Sequence, residues 1–245
     1  MSPEIIQLKD VHFSIGQTQI LHGISLNLSK SKIHCLVGPN GAGKSITNQI
    51  VGLIKKPNSG KIIWDDKELN LSDENETDNY SHKIGYMWQK PVFLRRSLRK
   101  NVELPLVFRD IPREERLKIV DNMLTAFKLS HLADKLPHQL SIGQQQKVAL
   151  LRSIIHKPNI LILDEPTASL DNANTLWFEN YISNLVKNEN IMVLWTTHDQ
   201  FQMKRIADEI SIIIEGSISL SGDVSLLEST SSDEKTQAYL NGKLI

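Results

Sequence analysis

The stretch that decides the fold of this chain is Gly38-Pro39-Asn40-Gly41-Ala42-Gly43-Lys44-Ser45. One glycine, four intervening residues and then glycine, lysine and serine have the spacing of a phosphate-binding loop. An apolar strand is predicted just before it, at Ile33 to Val37, and a helix just after it, from Ser45 to Ile54. Because the glycines let backbone N–H groups and the positive helix start face an anion, this strand, loop and helix predict a nucleotide site.

Two side chains of the loop add specific chemistry. We expect the Lys44 ammonium to reach the β- and γ-phosphates of ATP, and the Ser45 hydroxyl to bind Mg²⁺. ATP and Mg²⁺ are therefore the predicted cofactors. The nucleotide-binding residues predicted from this loop are Gly38, Pro39, Asn40, Gly41, Ala42, Gly43, Lys44 and Ser45.

Acidic residues at the end of a second strand indicate hydrolysis. The run from Ile160 to Leu163 is wholly aliphatic, which suits a strand buried on both faces, and Asp164 and Glu165 follow it. Ligands bind at the carboxyl ends of parallel strands in α/β sheets. We expect Asp164 to hold the Mg²⁺ shell and Glu165 to polarise the attacking water as general base, an effect of about 10²- to 10⁴-fold in rate.

A second phosphate-binding helix start is predicted between Leu140 and Gln146, where the chain reads Leu-Ser-Ile-Gly-Gln-Gln-Gln. One nucleotide does not need two such sites in one subunit, and the sequence contains no internal repeat. The pattern therefore indicates that Ser141, Gly143 and Gln144 serve a nucleotide held by a second copy of the chain, in a dimer closed by ATP.

With these motifs in place, the chain resembles the ATP-binding subunit of an ABC transporter over about residues 4–222. Gln89 matches the family's glutamine that contacts Mg²⁺ and the water and senses the membrane partner. Asp171 matches the D-loop at the dimer interface, and His198 matches the switch histidine that contacts the γ-phosphate. The resemblance thus implies catalytic roles for Glu165, His198 and Gln89, and metal binding by Ser45, Gln89 and Asp164.

The resemblance also implies the fold, an α/β P-loop NTPase with a mostly parallel sheet core, an N-terminal antiparallel β edge and a helical signature subdomain. One cassette is expected over residues 1–245, with the helical subdomain at about 91–150 and a short polar tail at about 223–245. The residues themselves predict short strands over 4–37, a helix over Arg113 to Phe127, a solvated loop at the acidic run Asp73 to Asp78 and a flexible break at Ser229 to Ser232.

Two further side chains are expected to affect nucleotide binding, Phe13 by adding a contact and Ile142 by weakening one. Phe13 lies on an early strand where the family usually carries an aromatic residue, so we expect it to stack on the adenine, at about 1 to 3 kcal/mol. Ile142 stands where the family's signature has its first glycine. Because a β-branched residue resists φ > 0 and adds bulk beside the phosphate, we expect the contact with the second copy to be weakened or displaced but retained.

Composition bounds the function further. The chain has 245 residues, 40% of them hydrophobic, and its 28 basic residues balance 28 acidic ones. This balance leaves no electrostatic footprint for nucleic acid, which is not an expected partner. No run approaches the roughly 18 apolar residues of a membrane span, and the N-terminus shows no signal pattern. The expected location is cytoplasmic, peripheral on the inner face of the cell membrane, and Cys35 is expected to be a buried thiol.

The implied partners are a second copy, integral membrane permease subunits and a substrate-binding protein. Leu136 to Gln139 resembles the approach to the signature in importers. The stretch Gln89 to Ser97 resembles tungstate-type oxyanion importer ATPases, whereas Asn101 to Leu106 also resembles cassettes for lipoprotein release or peptide efflux. Amino-acid import and a soluble iron–sulfur assembly ATPase are the remaining alternatives. A basic cluster is predicted to be a solvated face or a docking patch; it consists of Arg95, Arg96, Arg99 and Lys100.

Overall fold

The computed structural model describes residues 5–228 and 233–242. The flexible break expected at Ser229 to Ser232 lies outside the described residues, as do residues 1–4 and 243–245. The described part contains two β-sheets and a group of helices inserted between two strands of the larger sheet.

The strands are β1 (Ile5–Ile15), β2 (Thr18–Ser29), β3 (Ile33–Val37), β4 (Ser59–Trp64), β5 (Lys67–Glu68), β6 (Ile84–Met87), β7 (Ile160–Asp164), β8 (Met192–Thr196), β9 (Glu209–Ile214) and β10 (Ser217–Asp223). The helices are α1 (Lys44–Val51), α2 (Glu74–Ser81), α3 (Leu98–Val107), α4 (Arg113–Ala126), α5 (Ile142–Ile154), α6 (Asn172–Glu189), α7 (Gln200–Ile206) and α8 (Glu234–Leu240). Short 3₁₀ turns occur at Ser130–Leu132, Pro137–Gln139 and Val224–Glu228.

A six-stranded sheet forms the centre, in the order β10-β9-β3-β8-β7-β6, and only β10 runs antiparallel to its neighbour. Every residue of β3, β7 and β8 is buried. In β7, Ile160 and Ile162 face one apolar core while Leu161 and Leu163 face another on the opposite side of the sheet. Burial on both faces explains the uninterrupted aliphatic runs and confirms the predicted, mostly parallel α/β sheet.

The N-terminal strands form a separate antiparallel sheet, in the order β2-β1-β4-β5, which packs over the core that contains Ile160 and Ile162. The expectation of short strands over 4–37 is wrong for β1 and β2, which have 11 and 12 residues. Polar Asp10, with a φ of 49°, lies within a β-bulge of β1 instead of ending the strand. A bulge absorbs such a residue while the ladder continues on both sides of it.

The acidic run from Asp73 to Asp78 is not a loop, which corrects the sequence-based expectation. Asp73 is the N-cap of α2, and its carboxylate accepts hydrogen bonds from the backbone N–H groups of Asn75 and Glu76. Glu74 and Glu76 lie in the first turn, where negative charge is favoured by the helix dipole. Negative charges at the start of a short helix therefore stabilise it.

Helices α3, α4 and α5 lie between β6 and β7 in the chain and pack on the core that contains Leu161 and Leu163. Helix α4 agrees with the predicted helix to within one residue at its end. In the described ranges no helix is long and apolar enough to cross a lipid bilayer. Cys35 is buried as expected, and its burial raises the pKa of the thiol well above its usual range.

The segment expected as a short polar tail, at about 223–245, contains a helix where the structure describes it. Strand β10 extends to Asp223, and α8 packs against the protein with Tyr239 only 4% exposed. The side-chain amide of Gln200, at the start of α7, donates to the Tyr239 carbonyl over 2.6 Å. Helix α8 buries Thr236 and Tyr239, so its polar composition does not prevent one face from packing on the protein.

Candidate nucleotide site

The loop after β3 forms a cradle that only glycine fits. Gly38 has a φ of 155°, and a Cβ at this position would lie 2.0 Å from the carbonyl oxygen of Ile213. Gly43 precedes α1 with a φ of 108°, and its Cβ would lie 2.6 Å from the Leu21 side chain. Backbone therefore lines the space in front of α1, as a polyphosphate requires. The predicted loop residues 38–45 are thus brought together at the carboxyl edge of the parallel sheet.

Lys44 lies inside this loop. Its ammonium donates to the carbonyl oxygens of Gly38, over 2.8 Å, and Pro39, over 2.9 Å. Burial lowers the pKa of Lys44, and the nearby carboxylates of Glu165 and Asp164 work against that effect. A buried ammonium held by two loop carbonyls is a cation positioned for the charge of a bound phosphate.

Asp164 ends β7 as a buried carboxylate with hydroxyl partners from two other elements. Thr196, at the end of β8, donates to Asp164 Oδ1 over 2.8 Å, and Ser45 donates to the same oxygen over 3.3 Å. Asn48 of α1 in turn donates to the Thr196 hydroxyl over 3.2 Å. Burial raises the pKa of Asp164, and these hydrogen bonds act in the opposite direction.

This oxygen set fits Mg²⁺. The ion usually takes one or two protein ligands and completes its shell with water and substrate phosphates. The Ser45 hydroxyl and the Asp164 carboxylate are hard oxygen donors at the mouth of the phosphate loop. Thr196 and Asn48, which hold the carboxylate, were not predicted from the sequence as site residues, since a threonine ending an apolar strand carries no local signal of this role.

The other two predicted catalytic residues, Gln89 and His198, both lie next to the Glu165 carboxylate. The side-chain amide of Gln89, two residues after β6, donates to Glu165 Oε2 over 2.8 Å. His198 Nδ1 lies 3.4 Å from the same oxygen. Glu165 itself has a φ of 46°, and its backbone N–H donates to the Thr196 carbonyl over 3.1 Å. Such a strained backbone persists where surrounding contacts impose it, most often at functional sites.

Two openings border the loop. One, of about 640 Å³, is lined among others by Gly38, Pro39, Asn40, Gln89, Glu165 and His198. The other, of about 310 Å³, is lined by Gly41, Gly43, Lys44 and Ser45 together with Gln89 and Glu165. Volumes of this size suit a small-molecule ligand. Tyr239 and Gly242 of the C-terminal segment also border the larger opening, a placement that the sequence did not indicate.

Ser141, Gly143 and Gln144 lie at the start of α5, outside the residues that line these two openings. Ser141 caps α5 by accepting from the Gln144 N–H, and Gln144 accepts in return from the Ser141 N–H. Ile142 is the first residue of the helix, does not have a positive φ and is 59% exposed. The expected backbone strain at Ile142 is therefore wrong, because a helical N-terminal position suits isoleucine; its exposed bulk remains.

Asp171 and Phe13 are placed apart from the catalytic group. Asp171 is the N-cap of α6 and accepts from the Asn174 N–H over 2.8 Å, a bond that lowers the pKa of Asp171. The half-buried ring of Phe13 packs on the core beneath the N-terminal sheet, with the Lys55 ammonium 5.5 Å from its centroid. Adenine stacking on Phe13 stays a prediction.

Helix α5 reaches from the signature residues back to the catalytic group. Gln146, which is buried, donates its side-chain amide to the backbone carbonyl of Gln89 over 3.4 Å. Gln89 in turn holds Glu165. One chain of contacts thus joins the start of α5 to the candidate general base.

Comparison with protein families gives one match. A family model described as ABC transporter matches residues 21–168. The methionine import ATP-binding protein MetN of Brucella abortus is 30% identical over 240 residues, which cover 98% of this chain and 65% of MetN. The energy-coupling factor transporter ATP-binding protein EcfA3 of Clostridium perfringens is 30% identical over 226 residues, which cover 91% of this chain and 79% of EcfA3. The chain thus spans just under two thirds of the MetN length.

Solved structures give the same fold. The cbiO1 protein of Clostridium perfringens, part of the ABC transporter complex cbiONQ, superposes with a TM-score of 0.83 at 28% identity, covering 99% of this chain and 96% of cbiO1. The dimeric bacterial ABC transporter cassette MJ0796 superposes with a TM-score of 0.81 at 29% identity, covering 89% of this chain and 98% of MJ0796. Another dimeric MJ0796 structure holds ADP and Pi in a post-hydrolysis state.

The glycine cradle generates a stability prediction. Gly38→Ala is expected to lower the free energy of unfolding by about 3 kcal/mol or more, because its methyl group collides with the backbone oxygen of Ile213. Gly41→Ala, in the same loop, is the control: it also has a positive φ, but a Cβ there meets nothing within 4 Å, so a cost of about 1 to 2 kcal/mol is expected. Urea denaturation of both variants measures the difference, and equal losses would contradict the collision.

Proposed function

This chain belongs to the ABC transporter family, and from that premise we propose that it is an ATP-hydrolysing subunit that drives solute import through separate permease subunits. The observation that carries hydrolysis is the Glu165 carboxylate, held by Gln89 and close to His198 beside the phosphate loop. A cassette that only bound nucleotide would not need a carboxylate oriented by two other side chains at this place.

In this proposal the loop binds the triphosphate. Backbone N–H groups over Gly38 to Ser45 and the Lys44 ammonium take the β- and γ-phosphates. Ser45 and Asp164 would hold Mg²⁺, which would supply positive charge to neutralise the phosphates. Thr196 keeps the Asp164 carboxylate directed at the Ser45 hydroxyl. Phe13 is the proposed platform for the adenine.

Glu165 acts on the attacking water. Its carboxylate takes a proton from the water as the oxygen bonds to the γ-phosphorus and the bond to the β-phosphate oxygen breaks, which releases ADP and phosphate. Gln89 donates to Glu165 Oε2 and so orients the carboxylate. His198 lies on the same side of the carboxylate and stabilises negative charge on the γ-phosphoryl oxygens.

A second copy completes each site. Ser141, Gly143 and Gln144 at the start of α5 do not line the openings at the chain's own loop, so they are proposed to serve the nucleotide on the partner copy, with the positive helix start facing its phosphates. Asp171 lies at the start of α6 and meets the same interface. The similarity to MJ0796, whose cassette structure is dimeric, supports this arrangement.

The permease is proposed to dock on a groove of about 400 Å³ in the helical lobe. Its lining residues are Phe93, Leu94, Arg95, Leu136, Pro137 and His138. Beside it Val92 is 71% exposed, an unusual exposure for a large apolar residue next to a groove. The groove lies a few residues after Gln89, so a docked helix can move the candidate general base through the same segment.

The cargo is proposed to be a small polar solute. The stretch Gln89 to Ser97 resembles tungstate-type oxyanion importers, but the curated relatives are named for methionine import and for an energy-coupling factor transporter. The relatives therefore favour the amino-acid alternative over the oxyanion. The cassette does not contact the cargo, so its residues carry information about the permease type only.

Hydrolysis is tested with Glu165→Gln. The variant should bind ATP and Mg²⁺ with wild-type affinity, because the phosphate loop is unchanged, while phosphate release falls by about 10²- to 10⁴-fold. The trapped nucleotide should also hold two copies together, visible as a doubled mass in light scattering. Turnover near the wild-type rate would remove Glu165 from the role of general base.

Docking is tested by charge reversal on the groove. With Arg95 and Arg96 both changed to Glu, the protein co-expressed with its permease should leave the membrane fraction while ATP affinity is kept. The matched control reverses two exposed charges on α4, Arg113 and Lys118, and should stay with the membrane. A wild-type chain that never joins the membrane fraction and co-purifies with iron–sulfur assembly proteins would instead favour the soluble ATPase alternative.

The cargo is tested in vesicles that contain the permease and its substrate-binding protein. Methionine or another amino acid should stimulate ATP hydrolysis several-fold above the rate with the empty binding protein. Tungstate and molybdate are measured in parallel at equal concentration. Stimulation by the oxyanions alone would contradict the amino-acid assignment. It would instead favour an oxyanion importer, which the Gln89 to Ser97 stretch resembles.

A further inference from the structure

A buried carboxylate that the proposed mechanism does not use lies behind the catalytic group. Glu179, on α6, accepts two hydrogen bonds of 2.7 Å from the Arg205 guanidinium, through Nε and Nη2. The Gln202 side-chain amide donates to Glu179 Oε1 over 2.9 Å and to the Thr167 hydroxyl over 2.9 Å. The Glu179 side chain is 5% exposed and Gln202 is equally buried, so these polar groups are satisfied by one another.

Three functional segments meet at this cluster. Thr167 is two residues after Glu165, on the turn that leaves β7. Glu179 lies two turns into α6, the helix that Asp171 caps. Gln202 and Arg205 belong to α7, a helix of seven residues that begins directly after His198 and its neighbour Asp199. The hydrogen bonds of the cluster therefore connect the segments that carry Glu165, Asp171 and His198.

The hydrogen bonds of the cluster fix the orientation of α7 relative to α6, which apolar packing alone does not do. Phe178 and Met203 are buried beside the cluster, but apolar contact is non-directional and leaves a short helix free to rotate or slide. The paired Arg205 bonds and the shared Gln202 amide fix both the rotation and the position of α7 relative to α6. His198 depends on this because its side chain is 61% exposed and its Nδ1 lies 3.4 Å from Glu165 Oε2.

We propose that Glu179, through Gln202 and Arg205, is a positioning residue that locks α7 to α6 and so sets His198 against Glu165. The proposal rests on the proposed ATP hydrolysis and extends it to a residue outside the nucleotide site. A carboxylate in a core costs free energy unless it is fully paired, and the pairing here is complete on both oxygens. The bridge couples the histidine to the interface helix, so that closure of a dimer moves both together.

The test is Glu179→Gln in the purified chain. The substitution keeps the volume but removes the charge that holds Arg205. We expect kcat for ATP hydrolysis to fall about tenfold while KM for ATP changes less than about twofold, because a small misplacement of a catalytic group affects the reaction and leaves the phosphate loop intact. Glu103→Gln is the matched control, since Glu103 also forms a largely buried pair, with Arg116, between α3 and α4. This control should leave kcat near the wild-type value.

The second measurement separates positioning from general destabilisation. In a His198→Ala background, Glu179→Gln should lower the residual rate less than twofold, because the histidine through which it acts is gone. A purely structural role would lower the rate by the same factor in both backgrounds, and that result would overturn the proposal. If Glu179→Gln yields no folded protein, Gln202→Met replaces it, because this variant leaves the Arg205 pair in place. It is measured in the wild-type and His198→Ala backgrounds, and a larger loss of rate is again expected in the wild-type background.

Failure of the proposed function and failure of the positioning role give different results. A wild-type chain that releases no phosphate from ATP with Mg²⁺ would overturn the proposed function, and with it this inference. If the wild-type chain hydrolyses ATP and Glu179→Gln behaves like Glu103→Gln, only the positioning role is overturned.

Discussion

A single buried carboxylate, Asp164, holds the candidate site together. It can remain in a protein interior only where hydroxyl or amide groups satisfy its oxygens. Thr196 and Ser45 both donate to its Oδ1, from the ends of a neighbouring strand and of the phosphate loop, and Asn48 supports Thr196 in turn. The carboxylate thus joins two strands and the first helix at one point. The Mg²⁺ chemistry proposed here depends on that junction, because it directs a carboxylate and a hydroxyl at the same place.

Around this junction the catalytic group is built from long-range contacts. Glu165 follows Asp164 in sequence, but its orientation comes from Gln89 and its strained backbone is held by Thr196. Gln146 continues the contact from Gln89 into the helix that carries the signature residues. The route from the proposed docking groove to the candidate base is short: it follows the chain from Phe93 back to Gln89, whose side chain donates to Glu165. Movement of the helical lobe is expected to change hydrolysis by this route.

The signature region shows how a substitution can be tolerated. Isoleucine at position 142 occupies the first turn of α5, where its backbone is helical and unstrained, and the capping pair of Ser141 and Gln144 is intact. What the side chain changes is the surface that a second copy meets. Its exposed apolar atoms would be covered in a closed dimer, which adds apolar burial at the place where a glycine would offer backbone alone.

The sequence by itself determined the elements whose signals are local. The spacing from Gly38 to Ser45, the aliphatic run before Asp164 and the helix start before α5 predicted the local order of strand, loop and helix, because each is specified by neighbouring residues. The mostly parallel sheet followed from the family resemblance that these motifs carry. The cap at Asp73 is a local contact, but the acidic composition of the run favoured a loop over a helix. Local signals also failed where a residue's role depends on a distant part of the chain: Asp10 is absorbed in a bulge of paired strands, and Tyr239 is buried on a helix held by Gln200. Only the tertiary structure assigned Thr196 to Asp164 and Glu179 to Arg205, since those contacts join residues 32 and 26 positions apart and no short pattern records them.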